Sequence, residues 1–377
     1  MFNANQKRLL ALDGGGILGV MSLCILKRIE DQLRPLSGMD ENFRLCHFFD
    51  YIGGTSTGAI IAAGLAIGKS CSELIDFYQK SGAAMFQKAS LGRRFLYHAF
   101  SADSLREMLR KEIGAESLLD MHKSGKLKTL LLIVTRNVTT DSPWPISTNP
   151  YAQFNVESLP DCNMRIPLWK LVRASTAAPT YFEPEQIEFV PGDSRSSFVF
   201  EDGGVTPYNN PALLLYRMAT SPEYRIGWPG GEDRLMLISV GTGSVFHPLP
   251  ETRLFGKSLL TNAMTIPGAL MRSISVENDI NCRTIGSCVY GDKLDAEIGD
   301  LIPVETPSSP RQFLYARYNP DISQDGLAAM GLADIDAANL QLDNVTAIPD
   351  LIRIGQKAAD AVDLPRQFAR FLPKRVR

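Results

Sequence analysis

The chain has 377 residues, 45% of them hydrophobic, and a formal net charge of −2. That supports a large core, built as two or three domains or as one large α/β unit, and the near-neutral charge argues against a general nucleic-acid binder. The opening run "MFNANQKRLLALDGGG" is too short in apolar residues for a signal peptide, and "AIIAAGLAIG" is far below the roughly 20 residues a membrane-spanning helix needs.

Any contact with a membrane is therefore expected from outside the bilayer. The six cysteines (Cys24, Cys46, Cys71, Cys162, Cys282, Cys288) form no C-x-x-C pair and read as reduced, mostly buried thiols of a cytosolic protein. Lys374, Arg375 and Arg377 form a small basic tail that reads as solvated.

In chain order, "KRLLALD" predicts a buried strand and "ILGVMSLCILKRIEDQLR" a helix. "FFDYIGG" reads as a short strand and "TGAIIAAGLAIG" as a helix dense in small residues. "SADSLREMLRKEIG" carries a helix start and a glycine stop. "KTLLLIVTRN" is a buried strand, "PLWKLVRASTAAP" a helix ended by Pro179, and "SSFVFEDGG" a strand. "NPALLLYRMAT" is a helix and "RLMLISVGTGS" another buried strand. Strands alternating with helices, with continuous apolar strands, predict a mainly parallel sheet covered on both faces. Residues 7–245 form the expected core. Residues 246–377 read as mostly helical, with one candidate strand at "QFLYARY", packed on or completing the same domain.

The stretch "LLALDGGGILGVMSL" runs a strand into glycines and then into a helix. Gly14, Gly16 and Gly19 satisfy G-x-G-x-x-G, but a dinucleotide site needs a second strand ending in an acidic residue about 20 residues on. Asp40 and Glu41 lie near that distance and follow no strand-like run. The same backbone suits an oxyanion hole, with N–H groups of Gly14, Gly15 and Gly16 converging at a helix N-terminus. A non-catalytic nucleotide-binding module remains the alternative.

The next strand carries Gly54-Thr55-Ser56-Thr57-Gly58, a G-x-S-x-G between strand and helix. That context presents a serine hydroxyl above the sheet edge, with Gly54 and Gly58 leaving room for the tight turn. The plainer reading makes Ser56 an ordinary helix cap. A hydroxyl nucleophile needs a base. Of the four histidines, the chain order Ser…Asp…His selects His247, while His47 and His98 sit among aromatics and read as packing residues. Asp202, at the end of "SSFVFED" and before two glycines, is the better candidate, provided burial raises its pKa. Asp13 directly precedes the glycine triplet and suits a turn-anchoring role.

The ordered motifs Asp13-Gly14-Gly15-Gly16-Ile17-Leu18-Gly19, Gly54-Thr55-Ser56-Thr57-Gly58 and Asp202-Gly203-Gly204, with "LVRASTAAPTYFEP" and "DGGVTPYNNPALL", resemble the patatin-like phospholipases over roughly residues 7–245. The resemblance implies a three-layer α/β/α fold. It implies a Ser56–Asp202 dyad with Ser56 as nucleophile and Asp202 as base, an oxyanion hole of Gly14, Gly15 and Gly16, and no metal or cofactor. Acyl transfer to Ser56 would release a lysophospholipid; water activated by Asp202 would release the fatty acid. The family often carries Arg or Lys where this chain has Leu18, which puts headgroup preference or rate in question.

In overall length and C-terminal extension the chain is also similar to bacterial patatin-like antiphage effectors that are switched on by cyclic dinucleotides. The partners this implies are membrane phospholipids as substrate and a cyclic dinucleotide as activator, with action at the inner membrane surface from the cytoplasm. No nucleic-acid polymer is expected, and a homo-oligomer is left open. The alternative catalytic reading is a Ser56–Asp202–His247 esterase. "FQKASLGRRFLYHAF", with Arg93, Arg94, Phe95, Tyr97 and His98, mixes features of a nucleotide site and a membrane interface. "SLLTNAMTIPGALMRSI" reads as a lid or a pair of core helices around Pro267 and Gly268.

Overall fold

A nine-stranded sheet runs through the described residues. The computed structural model describes residues 2–85, 102–244, 259–303 and 310–373. The strands are β1 (Lys7–Leu12), β2 (Tyr51–Thr55), β3 (Leu130–Asn137), β4 (Ser142–Ser147), β5 (Glu185–Glu188), β6 (Ser197–Asp202), β7 (Leu235–Val240), β8 (Ser287–Tyr290) and β9 (Leu314–Tyr318). Their order is β5-β6-β3-β2-β1-β7-β9-β8, with β4 paired to β3 off this path; pairs among β3, β2, β1, β7, β9 and β8 are parallel, and β4, β5 and β6 join antiparallel.

The helices are α1 (Gly19–Ser37), α2 (Thr57–Ala66), α3 (Cys71–Met85), α4 (Ala102–Ile113), α5 (Leu118–Lys123) and α6 (Leu168–Ser175). They continue as α7 (Ala212–Thr220), α8 (Leu259–Ile285), α9 (Gln324–Ala329), α10 (Ile348–Ala358) and α11 (Leu364–Gln367). Alternate residues of the central strands feed two cores. Leu10, Leu12, Ile52 and Ile133 face a layer containing α1, α2, α3 and α10. Leu9, Ala11, Leu132 and Val134 face the opposite layer with α7. Burial on both faces explains the unbroken apolar runs of the parallel strands. The result is a three-layer α/β/α sandwich.

Where periodicity was weak, the sequence reading and the structure part. β4 carries Pro143 and Pro145, and β5 and β8 span four residues each, too short to show a pattern. The segment around Pro267 and Gly268 is one continuous helix, α8, rather than a pair of helices. All six cysteines are free and buried. Among the described residues no helix is long and apolar enough to cross a membrane.

Candidate active site

The site lies beyond the C-terminal ends of β1 and β2, where parallel α/β sheets gather ligands. β2 ends at Thr55, Ser56 follows, and α2 starts at Thr57. Ser56 has φ 55° and ψ −121°, a conformation side chains rarely adopt. Such strain persists only where the surroundings over-determine it. The turn is tight enough that a Cβ at Gly54 would strike the Gly58 backbone, and one at Gly58 would strike the carbonyls of Leu12 and Asp13. The Ser56 N–H donates to Ser175 Oγ at 2.9 Å, and Ser175 Oγ donates to the Val134 carbonyl at 2.6 Å. The Ser56 side chain makes no capping bond to α2, so the plain helix-cap reading does not describe it.

Its hydroxyl donates instead to Asp202 Oδ2 at 2.6 Å. The register of β3 brings the two together: Thr55 pairs with Val134 and Asp202 with the next residue, Thr135. The Gly204 N–H donates to Asp202 Oδ1 at 2.7 Å, and the Asp202 N–H donates to the Ala177 carbonyl at 3.0 Å. Asp202 is 4% exposed. Burial pushes its pKa from 3.8 up to about 6, against the opposing hydrogen bonds from Ser56 and Gly204 and the charge of Arg173. A carboxylate poised near neutral pH, within hydrogen-bond reach of a strained hydroxyl, has the geometry of a base and its nucleophile.

The glycine turn faces this pair. A Cβ on Gly14 would press against Ser56 Cβ and the Asn209 amide. The N–H of Gly14, expected among the oxyanion donors, is bonded to the Asn209 carbonyl at 3.1 Å and is not free for that role. The N–H groups of Gly15 and Gly16 meet no acceptor among the described residues. Gly16 has φ 58°, the left-handed conformation that turns the chain into α1. Leu18, just before the last glycine of the turn, is packed in the core.

Sequence reasoning missed Arg173. It is fully buried in α6, donates to the Glu183 carbonyl at 2.7 Å, and lies 5.5 Å from the Phe182 ring centroid. An arginine within the apolar face of "LWKLVRAS" was the available signal. His47, expected to pack, is exposed and accepts the Arg44 N–H on Nδ1 at 3.0 Å. Both His47 and His122 are exposed, and neither is hydrogen-bonded to the Ser56 or Asp202 side chain. His98 and His247 lie outside the described residues, as do Arg93, Arg94, Phe95 and Tyr97.

A strained serine on a strand–helix elbow, a buried aspartate at 2.6 Å and a glycine-rich turn beside them thus lie together on a mostly parallel α/β sheet. The patatin-like phospholipase family model matches residues 10–216, and the chain belongs to that family. It is 32% identical over 365 residues, 90% of each chain, to a cGAMP-activated phospholipase of Vibrio cholerae serotype O1. It is 29% identical over 260 residues to patatin-like protein 1 of Arabidopsis thaliana, covering 63% of this chain and 58% of that one. It is 26% identical over 266 residues to patatin-1-Kuras 2 of Solanum tuberosum, covering 66% of each.

Proposed function

We propose that this protein hydrolyses fatty-acyl esters of membrane phospholipids through Ser56 and Asp202. The carrying observation is the 2.6 Å bond from Ser56 Oγ to Asp202 Oδ2 at the end of a strained elbow. Asp202 takes the Ser56 proton as Oγ attacks the ester carbonyl. The N–H groups of Gly15 and Gly16 and the N-terminus of α2 stabilise the oxyanion. The leaving lysophospholipid takes the proton back from Asp202. Water, deprotonated by Asp202, then attacks the acyl-enzyme; collapse of that second oxyanion releases the fatty acid and regenerates Ser56. Val205 and Leu342 are exposed apolar residues at the Asp202–Gly204 turn and beside the glycine turn, and Leu270 is exposed on α8 next to Met271, whose side chain approaches Gly204; this suits a substrate with acyl chains held at a membrane surface.

The match to the Vibrio phospholipase over 90% of both chains supports activation by a cyclic dinucleotide. Fatty-acid release from phospholipid vesicles tests the hydrolysis and its activation. Wild type with cGAMP releases fatty acid, wild type without it releases little, and Ser56→Ala and Asp202→Asn release none. Equal release with and without every cyclic dinucleotide tried overturns the regulation. Loss of activity in a folded His247→Ala variant replaces the dyad with a triad.

A further inference from the structure

The glycine turn is held chiefly from parts of the chain beyond the family match at 10–216. The Asp13 N–H donates to the Val240 carbonyl at 3.1 Å, Thr242 Oγ donates to the Gly14 carbonyl at 2.9 Å, and the Ile17 N–H donates to the Leu342 carbonyl at 2.8 Å. The Asp13 carboxylate takes a two-pronged contact from Arg317, Nη1 to Oδ1 at 2.8 Å and Nη2 to Oδ2 at 2.6 Å. Nη1 also donates to Ser239 Oγ at 2.7 Å. Strand register delivers the guanidinium: Ala11 of β1 pairs with Ser239 of β7, which pairs with Arg317 of β9.

Both side chains are 5% exposed. Buried ion pairs add little net stability, because desolvation consumes the Coulomb gain. What a forked guanidinium–carboxylate contact does provide is fixed orientation. The fixed carboxylate belongs to the residue immediately before Gly14, so a tilt of Asp13 propagates into the turn.

We propose that Arg317 is a positioning residue for ester hydrolysis: its fork on Asp13 sets the direction in which the Gly15 and Gly16 N–H groups point at the reacting carbonyl oxygen. This rests on the oxyanion role given to those groups above. A misplacement of 1 Å in a reacting geometry can cost about 100-fold.

The test uses the full chain with cGAMP present, a soluble short-chain nitrophenyl ester and a fluorophosphonate that titrates Ser56. Arg317→Lys keeps the charge and loses the fork. It is expected to lower kcat by about 10- to 100-fold per titrated site with KM nearly unchanged. The fluorophosphonate labelling rate should fall in parallel, while the pH midpoint set by Asp202 stays in place. Asp13→Asn with Arg317→Gln, a neutral amide pair, covers the case in which the single variant fails to fold. Ser239→Ala, which unpairs no charge, should show the same kcat loss in smaller measure.

A purely structural role would lower the titratable fraction and leave the rate per titrated site at the wild-type value. That result in the folded variants overturns the proposal. Absence of labelling in the wild type would instead overturn the dyad reading on which it rests.

Discussion

Asp202→Asn should destroy activity and stabilise the protein. In the folded chain burial raises this carboxyl from 3.8 to about 6, with the Ser56 and Gly204 bonds and Arg173 only partly opposing it. Each tenfold change in proton affinity is worth about 1.4 kcal/mol, so holding the ionised form at about pH 8 costs folding about 3 kcal/mol. The sign follows from the raised value. The wild type has its full stability below the unfolded-chain pKa, where both states are protonated, and loses it as pH rises through about 6. Asparagine keeps an oxygen for the Gly204 N–H and offers its amide to Ser56. Guanidinium denaturation should therefore find the variant more stable by up to about 3 kcal/mol at about pH 8, with the gap closing toward pH ~4. A variant less stable than wild type at the higher pH, or a gap independent of pH, would refute the claim that Asp202 is buried at an energetic cost for chemistry.

Other outcomes follow from the same geometry. Hydrolysis should rise with pH to a plateau, half-maximal at about 6, because the base works ionised; a pH–rate profile on a soluble ester reads this directly. Ser56→Gly should abolish hydrolysis and raise stability by about 1 kcal/mol, since glycine relieves the strained elbow; a lower Tm for the variant would count against strain there. Ser175→Ala removes the bond that anchors the Ser56 N–H and should lower kcat by about 10-fold while costing about 1 kcal/mol of stability. Leu270→Asp with Leu342→Asp should weaken vesicle binding and vesicle hydrolysis while sparing the soluble ester; equal losses on both substrates would remove these residues from membrane contact.

Much of this arrangement was legible in the sequence because its signals are local. The glycine triplet and the G-x-S-x-G each follow the C-terminal end of a buried parallel strand, where such ends converge, and the Asp-Gly-Gly follows β6, which reaches the same place by pairing antiparallel with β3. What could not be read depends on partners far along the chain. The Gly14 N–H is taken by Asn209, a contact set by the turn before α7. Asp13 was expected to anchor the turn, but nothing local names Arg317, which lies 304 residues away in β9. The influence of Arg173 on Asp202 requires α6 to fold against β3 and β6. β4 and β5 were hidden because edge strands with proline or with only four residues carry too little pattern.

The most direct test of the central claim is mass spectrometry of the protein after reaction with a fluorophosphonate, paired with fatty-acid release from phospholipid vesicles in the presence of cGAMP. The account predicts a single phosphonyl adduct on the peptide carrying Ser56, with release abolished in step with labelling. An adduct elsewhere, or undiminished release by Ser56→Ala, would contradict it.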